Sequence, residues 1–344
     1  MHHQAGGVNT GDGAIEGIAD RLFRLEDGGA THEFAELAEL IVGYQRERNP
    51  VYGRYCKAIG DFGEQLFPYL PIAAFKESPV TCYPPEQAER VFESSGTGSG
   101  RPSRHYVRDL RLYERAIDEH FRRVFGEAPF VLAAHLPHYA EMGSRSSLLY
   151  MVDYIRVQMA VLGSRSFLEE PERLSDFIEL SEQNGVPLVV IGAAFGLLQL
   201  VEHHPCQLPA NALVIETGGM KTYRREINRT DLHERLAAGF GVDRGRIYSE
   251  YGMCELLSQC YTRGDEIFLP PPWMRIQVLD PEDPFREVDE GKVGVLAVLD
   301  LANIHTVSPI LTEDRAVRIG DGFAVLGRLS GAELRGCNFL LENV

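Results

Sequence analysis

The sequence predicts an α/β protein: a mainly parallel sheet flanked by helices, followed by a smaller β-rich part. Three observations carry this expectation. Short apolar runs at 130–134, 186–191, 212–216 and 246–249 alternate with stretches of helical period at 148–162, 173–184, 195–203 and 231–239, the pattern of a parallel sheet with crossover helices. Past Gly264 the texture changes to short runs, at 274–279 and 293–299, separated by Asp-Pro, Glu-Asp-Pro and Asp-Glu-Gly turns. The length, 344 residues, suits about two domains. The expected division is a disordered leader over 1–17, an α/β core over 18–265 and a β-rich subdomain over 266–344.

Each element has a local reason. From Phe34 the apolar residues Leu37, Leu40, Ile41 and Tyr44 recur at helical spacing, with Thr31 available as a cap. Pro68, Pro71, Pro79, Pro84 and Pro85 then keep the chain extended and turn-rich. Asp109 can cap a helix whose stripe is Leu110, Tyr113, Ile117, Phe121 and Val124. Near the end, the runs 316–319 and 323–326 flank Gly320-Asp321-Gly322, a short hairpin signal.

Composition excludes several classes. A formal charge of −16 argues against a nucleic-acid binder, which needs a basic face. No apolar run approaches the roughly 20 residues that span a bilayer. The first residues, Met1 to Gly13, are polar and glycine-rich without an apolar segment, so the expected location is cytoplasmic. Six cysteines are scattered without zinc spacing and are expected as free thiols.

The segment from Phe92 to His105 is the strongest candidate for chemistry. Glycines and hydroxyls alternate through Ser94, Ser95, Gly96, Thr97, Gly98, Ser99 and Gly100, followed by Arg101, Arg104 and His105. Glycines let backbone N–H groups turn inward to bind an anion, and the basic residues can offset phosphate charge. No Gly-Lys-Ser/Thr closes the stretch, so it is not a Walker loop; a flexible linker has the same composition.

Four further stretches are weaker taken singly. Gly218, Gly219, Met220 and Lys221 follow a strand, where glycines admit a flat ring close to backbone or simply make a tight turn. Tyr251, Gly252, Met253 and Glu255 also follow a strand. Tyr251 suits base stacking or a core position, and Glu255 suits a magnesium ion or a helix start. Asp314, in Thr312-Glu313-Asp314-Arg315, could hold ribose hydroxyls or cap a turn. Arg328 could contact a nucleotide, and Cys337, between Gly336 and Asn338, is a thiol within reach of an activated acyl group.

Taken in order, these motifs resemble the adenylate-forming superfamily of acyl-CoA synthetases and peptide-synthetase adenylation domains. The phosphate loop matches Ser94–Gly100, the adenine segment Gly218-Gly219, and the Tyr-Gly-x-x-Glu motif Tyr251–Glu255. The "Thr-Gly-Asp" ribose motif is replaced by Thr312-Glu313-Asp314, and the hinge by Gly327-Arg328 and Arg335-Gly336. Within the superfamily the chain is most similar to the LuxE-type acyl-protein synthetases. Ser-Ser-Gly-Thr, Ser-Arg-His-Tyr-Val, Leu148–Val152 and Glu333–Cys337 carry that resemblance, from about residue 40 onward.

The resemblance implies a fold, a large N-terminal adenylating domain, and an activity. An ATP- and Mg2+-dependent ligase would activate a carboxylic, typically fatty, acid as acyl-adenylate. It would then take the acyl group as a thioester on Cys337 and pass it to an acyl-CoA reductase-like or carrier-protein partner. ATP contacts are implied at Ser94–Gly100, Arg101, Gly218, Gly219, Met220, Tyr251, Gly252, Met253, Asp314 and Arg328, and a metal contact at Glu255. The chain stops at Val344, just past the hinge, so the superfamily's mobile C-terminal domain and its lysine have no counterpart; Lys221 or Arg328 are candidates to stand in. Delivery to coenzyme A or a carrier protein, and a non-catalytic partner subunit, are the alternatives. For the acyl chain, 132–139 and 191–196 offer small residues.

Overall fold

The computed structural model describes residues 17–26, 32–60, 65–94, 101–139, 145–218, 227–262 and 264–329. The chain begins with helices α1 (Ile18–Leu22), α2 (His32–Arg48) and α3 (Pro50–Ile59). Proline at the first position of α3 and the Asn49 side chain, which accepts from the N–H groups of Val51 and Tyr52, fix where α3 starts. A two-residue strand β1 (Leu70–Pro71) and a single-turn helix α4 (Ala74–Glu77) lead into a hairpin of β2 (Arg90–Glu93) and β3 (Arg104–Val107). Helix α5 (Leu110–Phe125) follows, capped by Asp109 as the sequence predicts.

The α/β layer comes next. Its elements are β4 (Val131–His135), α6 (Ser147–Gln158), β5 (Arg165–Ser166), α7 (Leu174–Asn184), β6 (Leu188–Ala193), α8 (Ala194–His203), β7 (Leu213–Thr217), α9 (Arg229–Phe240), β8 (Ile247–Tyr251) and β9 (Cys260–Tyr261). The strands pair in the order β5-β4-β6-β7-β8-β9, parallel except for β9. Alternation along the strands sends Leu132, Ala134, Val189, Ile191, Leu213 and Ile215 into one apolar cluster. Val131, Ala133, Leu188, Val190 and Val214 enter the other, with α7, α8 and α9. Both faces are covered, which is why these strands read as continuous apolar runs.

The last strands, β10 (Met274–Leu279), β11 (Val293–Asp300), β12 (Pro309–Ile319) and β13 (Gly322–Arg328), form an antiparallel sheet with β1 added in parallel. Strand β12 changes partner along one edge. Its first residues pair with β1, Pro71 opposite Leu311, and its later ones with β13, Asp314 opposite Arg328. Residues 312–315, expected as a loop, thus lie inside an eleven-residue strand. The register shift between Arg315 and Ala316 bends the ladder where the polar residues sit.

Buried polar groups lock the layers together. Gln45 on α2 donates to the carbonyls of Asn303 and Ile304 and to Ser308 Oγ, and accepts from Ser308 N–H. Asn49 donates to Thr306 O at 3.0 Å. Asp300, at the end of β11, accepts from the N–H groups of Leu257, Ser258 and Ala302 and from Ser258 Oγ. Burial lifts this carboxyl to about 6 against those donors. No disulfide forms among the described residues; Cys56, Cys82, Cys206, Cys254 and Cys260 are free thiols, as expected.

Candidate functional site

The site forms where three pieces meet: the β2–β3 hairpin, the turn after β8, and the partner change on β12. Glu93 stands opposite Arg104, and Ser94 and Ser103 close the hairpin base. Ser94 N–H donates to Ser103 O at 3.1 Å, and Ser103 N–H donates to Ser94 Oγ at 3.0 Å. The predicted phosphate residues Ser95, Gly96, Thr97, Gly98, Ser99 and Gly100 lie outside the described residues, as do Gly219, Met220, Lys221 and Cys337. Arg101 is exposed.

One basic residue of this segment does not serve as expected. His105 is fully buried, and burial holds it down at about 4, hence neutral. Its Nδ1 lies 2.8 Å from Cys254 O, so that nitrogen carries the proton; Nε2, 3.3 Å from Thr306 Oγ1, can accept. His105 therefore ties β3 to the turn after β8 rather than offsetting phosphate charge. Arg104 is paired with Glu93 at 3.3 Å. The strand alternation of Arg104-His105-Tyr106-Val107, with His105 and Val107 inward, carried this signal.

After β8 the chain turns without entering a helix, so Glu255 is not a helix-starting residue; Leu256 N–H closes the turn on Met253 O at 3.1 Å. Glu255 is 4% exposed, and burial raises its carboxyl while the Ser103 hydroxyl bond opposes the shift. Asn303 donates to its backbone carbonyl at 3.0 Å. Tyr251 packs between Phe268 and Phe323, with centroids at 5.6 and 5.3 Å, and donates its hydroxyl to Asp314 Oδ2 at 2.9 Å. Asp314 also faces Arg328, with Nε 3.5 Å from Oδ1, and Arg328 Nη1 lies 3.9 Å from Glu313. Thr312 Oγ1 donates to Leu296 O and accepts from Asp314 N–H, which fixes the strand under the acids. The structure therefore brings Ser94, Tyr251, Glu255, Asp314 and Arg328 into one connected neighbourhood.

Gly218 follows β7 directly at φ +93°, a conformation that favours glycine. Beneath it lies a carboxylate cluster absent from the sequence reading. On β7 and β8, Glu216 stands opposite Ser249 and Thr217 opposite Glu250. Thr217 donates to Glu250, Ser249 to Glu216, and Arg229 to Glu216 at 3.3 Å. Burial, reinforced by the charge of Glu216, pushes Glu250 up to about 7. Gly252 has a specific cause here, because a Cβ at this position would collide with Glu250 Oε1. The alternation of polar residues through Glu216-Thr217 and Ser249-Glu250 at strand ends was the available signal.

The two stretches considered for the acyl chain do meet, with His135 opposite Gly192. Their small residues make room for neighbours, not for a vacancy. A Cβ on Gly192 would stand 2.8 Å from Leu197 Cδ2, and one on Gly196 would stand 3.3 Å from His135 Nδ1.

The fold is that of the adenylate-forming ligases. The structure is similar to 2-hydroxyisobutyryl-CoA ligase in an open conformation with 2-HIB-AMP and CoA, at 15% identity and TM-score 0.59, covering 87% of this chain and 70% of that one. It also resembles ATP-bound MatB from Rhodopseudomonas palustris, at 15% identity and TM-score 0.50, covering 69% and 47%. McyG A-PCP complexed with phenylalanyl-adenylate matches at 14% identity and TM-score 0.50, covering 72% and 48%. The chain thus spans about half the length of the last two. No curated protein matches the sequence. The family model for the acyl-protein synthetase LuxE matches residues 161–344, and the chain belongs to that family. The family match begins well after residue 40, whereas the likeness of fold extends over most of the chain.

Proposed function

We propose that the protein activates a fatty acid with ATP and takes the acyl group onto Cys337 as a thioester. The observation that carries this reading is the junction of hairpin base, Glu255, Tyr251, Asp314 and Arg328 in a chain of the LuxE family. In the first half-reaction a carboxylate oxygen attacks the α-phosphorus and pyrophosphate leaves. In the second the Cys337 thiolate, its proton lost to solvent, attacks the acyl carbon and AMP leaves. Ser94 to Gly100 and Arg101 would hold the phosphates, Gly218 to Met220 with Tyr251 to Met253 the adenine, and Asp314 the ribose. Lys221 and Arg328 supply positive charge near the reacting groups.

Among the described residues no group of three or more metal-ligating side chains forms. A single buried carboxylate beside Ser103 at the hairpin base still fits Mg2+, which takes most ligands from phosphate and water. Glu255 would hold that ion, and its charge would offset that of the phosphates. Among the described residues no helix is long and apolar enough to cross a membrane; a cytoplasmic location, a reductase or carrier partner, and a division near residue 265 complete the proposal.

The test is to incubate the protein with ATP, magnesium and labelled fatty acids and to look for protein-bound label released by neutral hydroxylamine. Label that disappears in Cys337→Ser while pyrophosphate release persists supports the reading. Pyrophosphate release without label directs the acyl group to coenzyme A or a carrier, the acceptor suggested by the coenzyme A complex of the hydroxyisobutyryl ligase.

A further inference from the structure

Lys76 is the one lysine that the described structure places against the acids of the site. It lies on α4, four residues beyond Ile72, whose N–H extends the β1–β12 pairing by donating to Leu311 O at 2.9 Å. The neighbouring Phe75 is buried and meets the His105 ring edge-on at 5.8 Å, so α4 is clamped between β12 and β3. That clamp aims Lys76 at the point where β12 exchanges β1 for β13. There Lys76 Nζ stands 4.0 Å from Glu313 Oε1, and Arg328 approaches the other oxygen at 3.9 Å.

These contacts are loose. Lys76 is 38% exposed and Arg328 50% exposed, and a separation near 4 Å is beyond a direct hydrogen bond. Partly exposed pairs of this kind contribute little stability, so a ligand of higher charge can displace them cheaply. Its charge is also felt beyond β12. The charges of Lys76 and Arg328 both act on the Glu255 side of the site. Lys76 thus stands loosely against Glu313 on β12, with a flexible stem and a free route to solvent.

We propose that Lys76 is a phosphate-binding residue of the site, whose ammonium leaves Glu313 to bond phosphate oxygens of ATP. The assignment deepens the acid-activation reading and rests on it for the identity of the nucleotide. A lysine suits the role as a mobile point charge with three donors. Once engaged, it would stabilise the charge that builds on the phosphates as the carboxylate attacks and pyrophosphate departs.

The test compares full-length wild type, Lys76→Gln and Lys76→Arg by calorimetric titration with MgATP and with adenosine, alongside acid-dependent ATP–pyrophosphate exchange. Lys76→Gln should weaken MgATP binding roughly 10-fold or more, in line with loss of a charge-assisted hydrogen bond, and leave adenosine binding within about 2-fold. Its exchange rate should fall about 100-fold at saturating ATP, and Lys76→Arg should recover most of both losses. MgATP binding unchanged in Lys76→Gln, or equal losses of ATP and adenosine, would overturn the assignment, as would wild type that binds no ATP. If wild type binds ATP but exchanges no pyrophosphate with any acid, the acid-activation reading fails while the binding comparison still decides the role of Lys76.

Discussion

The ends of the parallel strands and the edge of the antiparallel sheet handle charge in opposite ways. At the ends of β7 and β8, Glu216 and Glu250 are buried and fully committed to Thr217, Ser249 and Arg229. At the partner change on β12, Lys76 and Arg328 reach Glu313 from partly exposed positions and at longer range. Breaking the first set leaves uncompensated charge in a low dielectric, whereas the second can trade partners with little loss. The buried set is built to hold the backbone under Gly218 and Gly252. The exposed set is the one we propose to meet a ligand.

That contrast can be broken most severely at Glu216. Glu216→Ala should cost about 3 kcal/mol or more of stability, read by denaturant unfolding, because Arg229 and His233 lose a buried partner. Arg328→Ala should do the reverse. Acid-dependent exchange should fall about 100-fold, equivalent to about 2.7 kcal/mol of barrier, with the unfolding midpoint nearly unchanged. Gly252→Ala should destabilise by about 1–3 kcal/mol through its collision with Glu250, and a double-mutant cycle with Glu250→Ala should recover part of the loss.

The smallest effect concerns pH. Glu250 titrates at about 7 in the fold against an ordinary 4.5, so the folded state binds the extra proton between those values. Its favourable protonated state is complete below 4.5 and is lost as pH rises through 7. Glu250→Gln cannot ionise, so its stability relative to wild type should rise by roughly 1–3 kcal/mol between pH 5 and pH 8. Melting curves of both proteins at the two pH values check this. His105 runs the other way: held at about 4, it costs stability as pH falls below 6.5.

The sequence made the regular part of the fold legible because burial on both faces leaves plain apolar runs. The strand expected at 212–216 is Leu213–Thr217, and the run at 274–279 is β10 to the residue. The site was legible as an ordered series of motifs but not as a geometry. Thr312–Arg315 looked like a loop because Glu and Asp disfavour strands, yet pairing with β11 and β13 overrides that local preference. Gln45 and Asp300 gave no local sign of their roles, since each acts on residues distant in sequence or on turn backbone. Lys76 was invisible for the same reason: only the β1–β12 pairing brings it to Glu313.

The most direct measurement is exchange of labelled pyrophosphate into ATP by the full-length protein over a panel of fatty and aryl acids. Acid activation predicts exchange that requires a carboxylic acid, persists in Cys337→Ser and collapses in Arg328→Ala. Exchange that ignores the acid, or none with any acid in the panel, would contradict it.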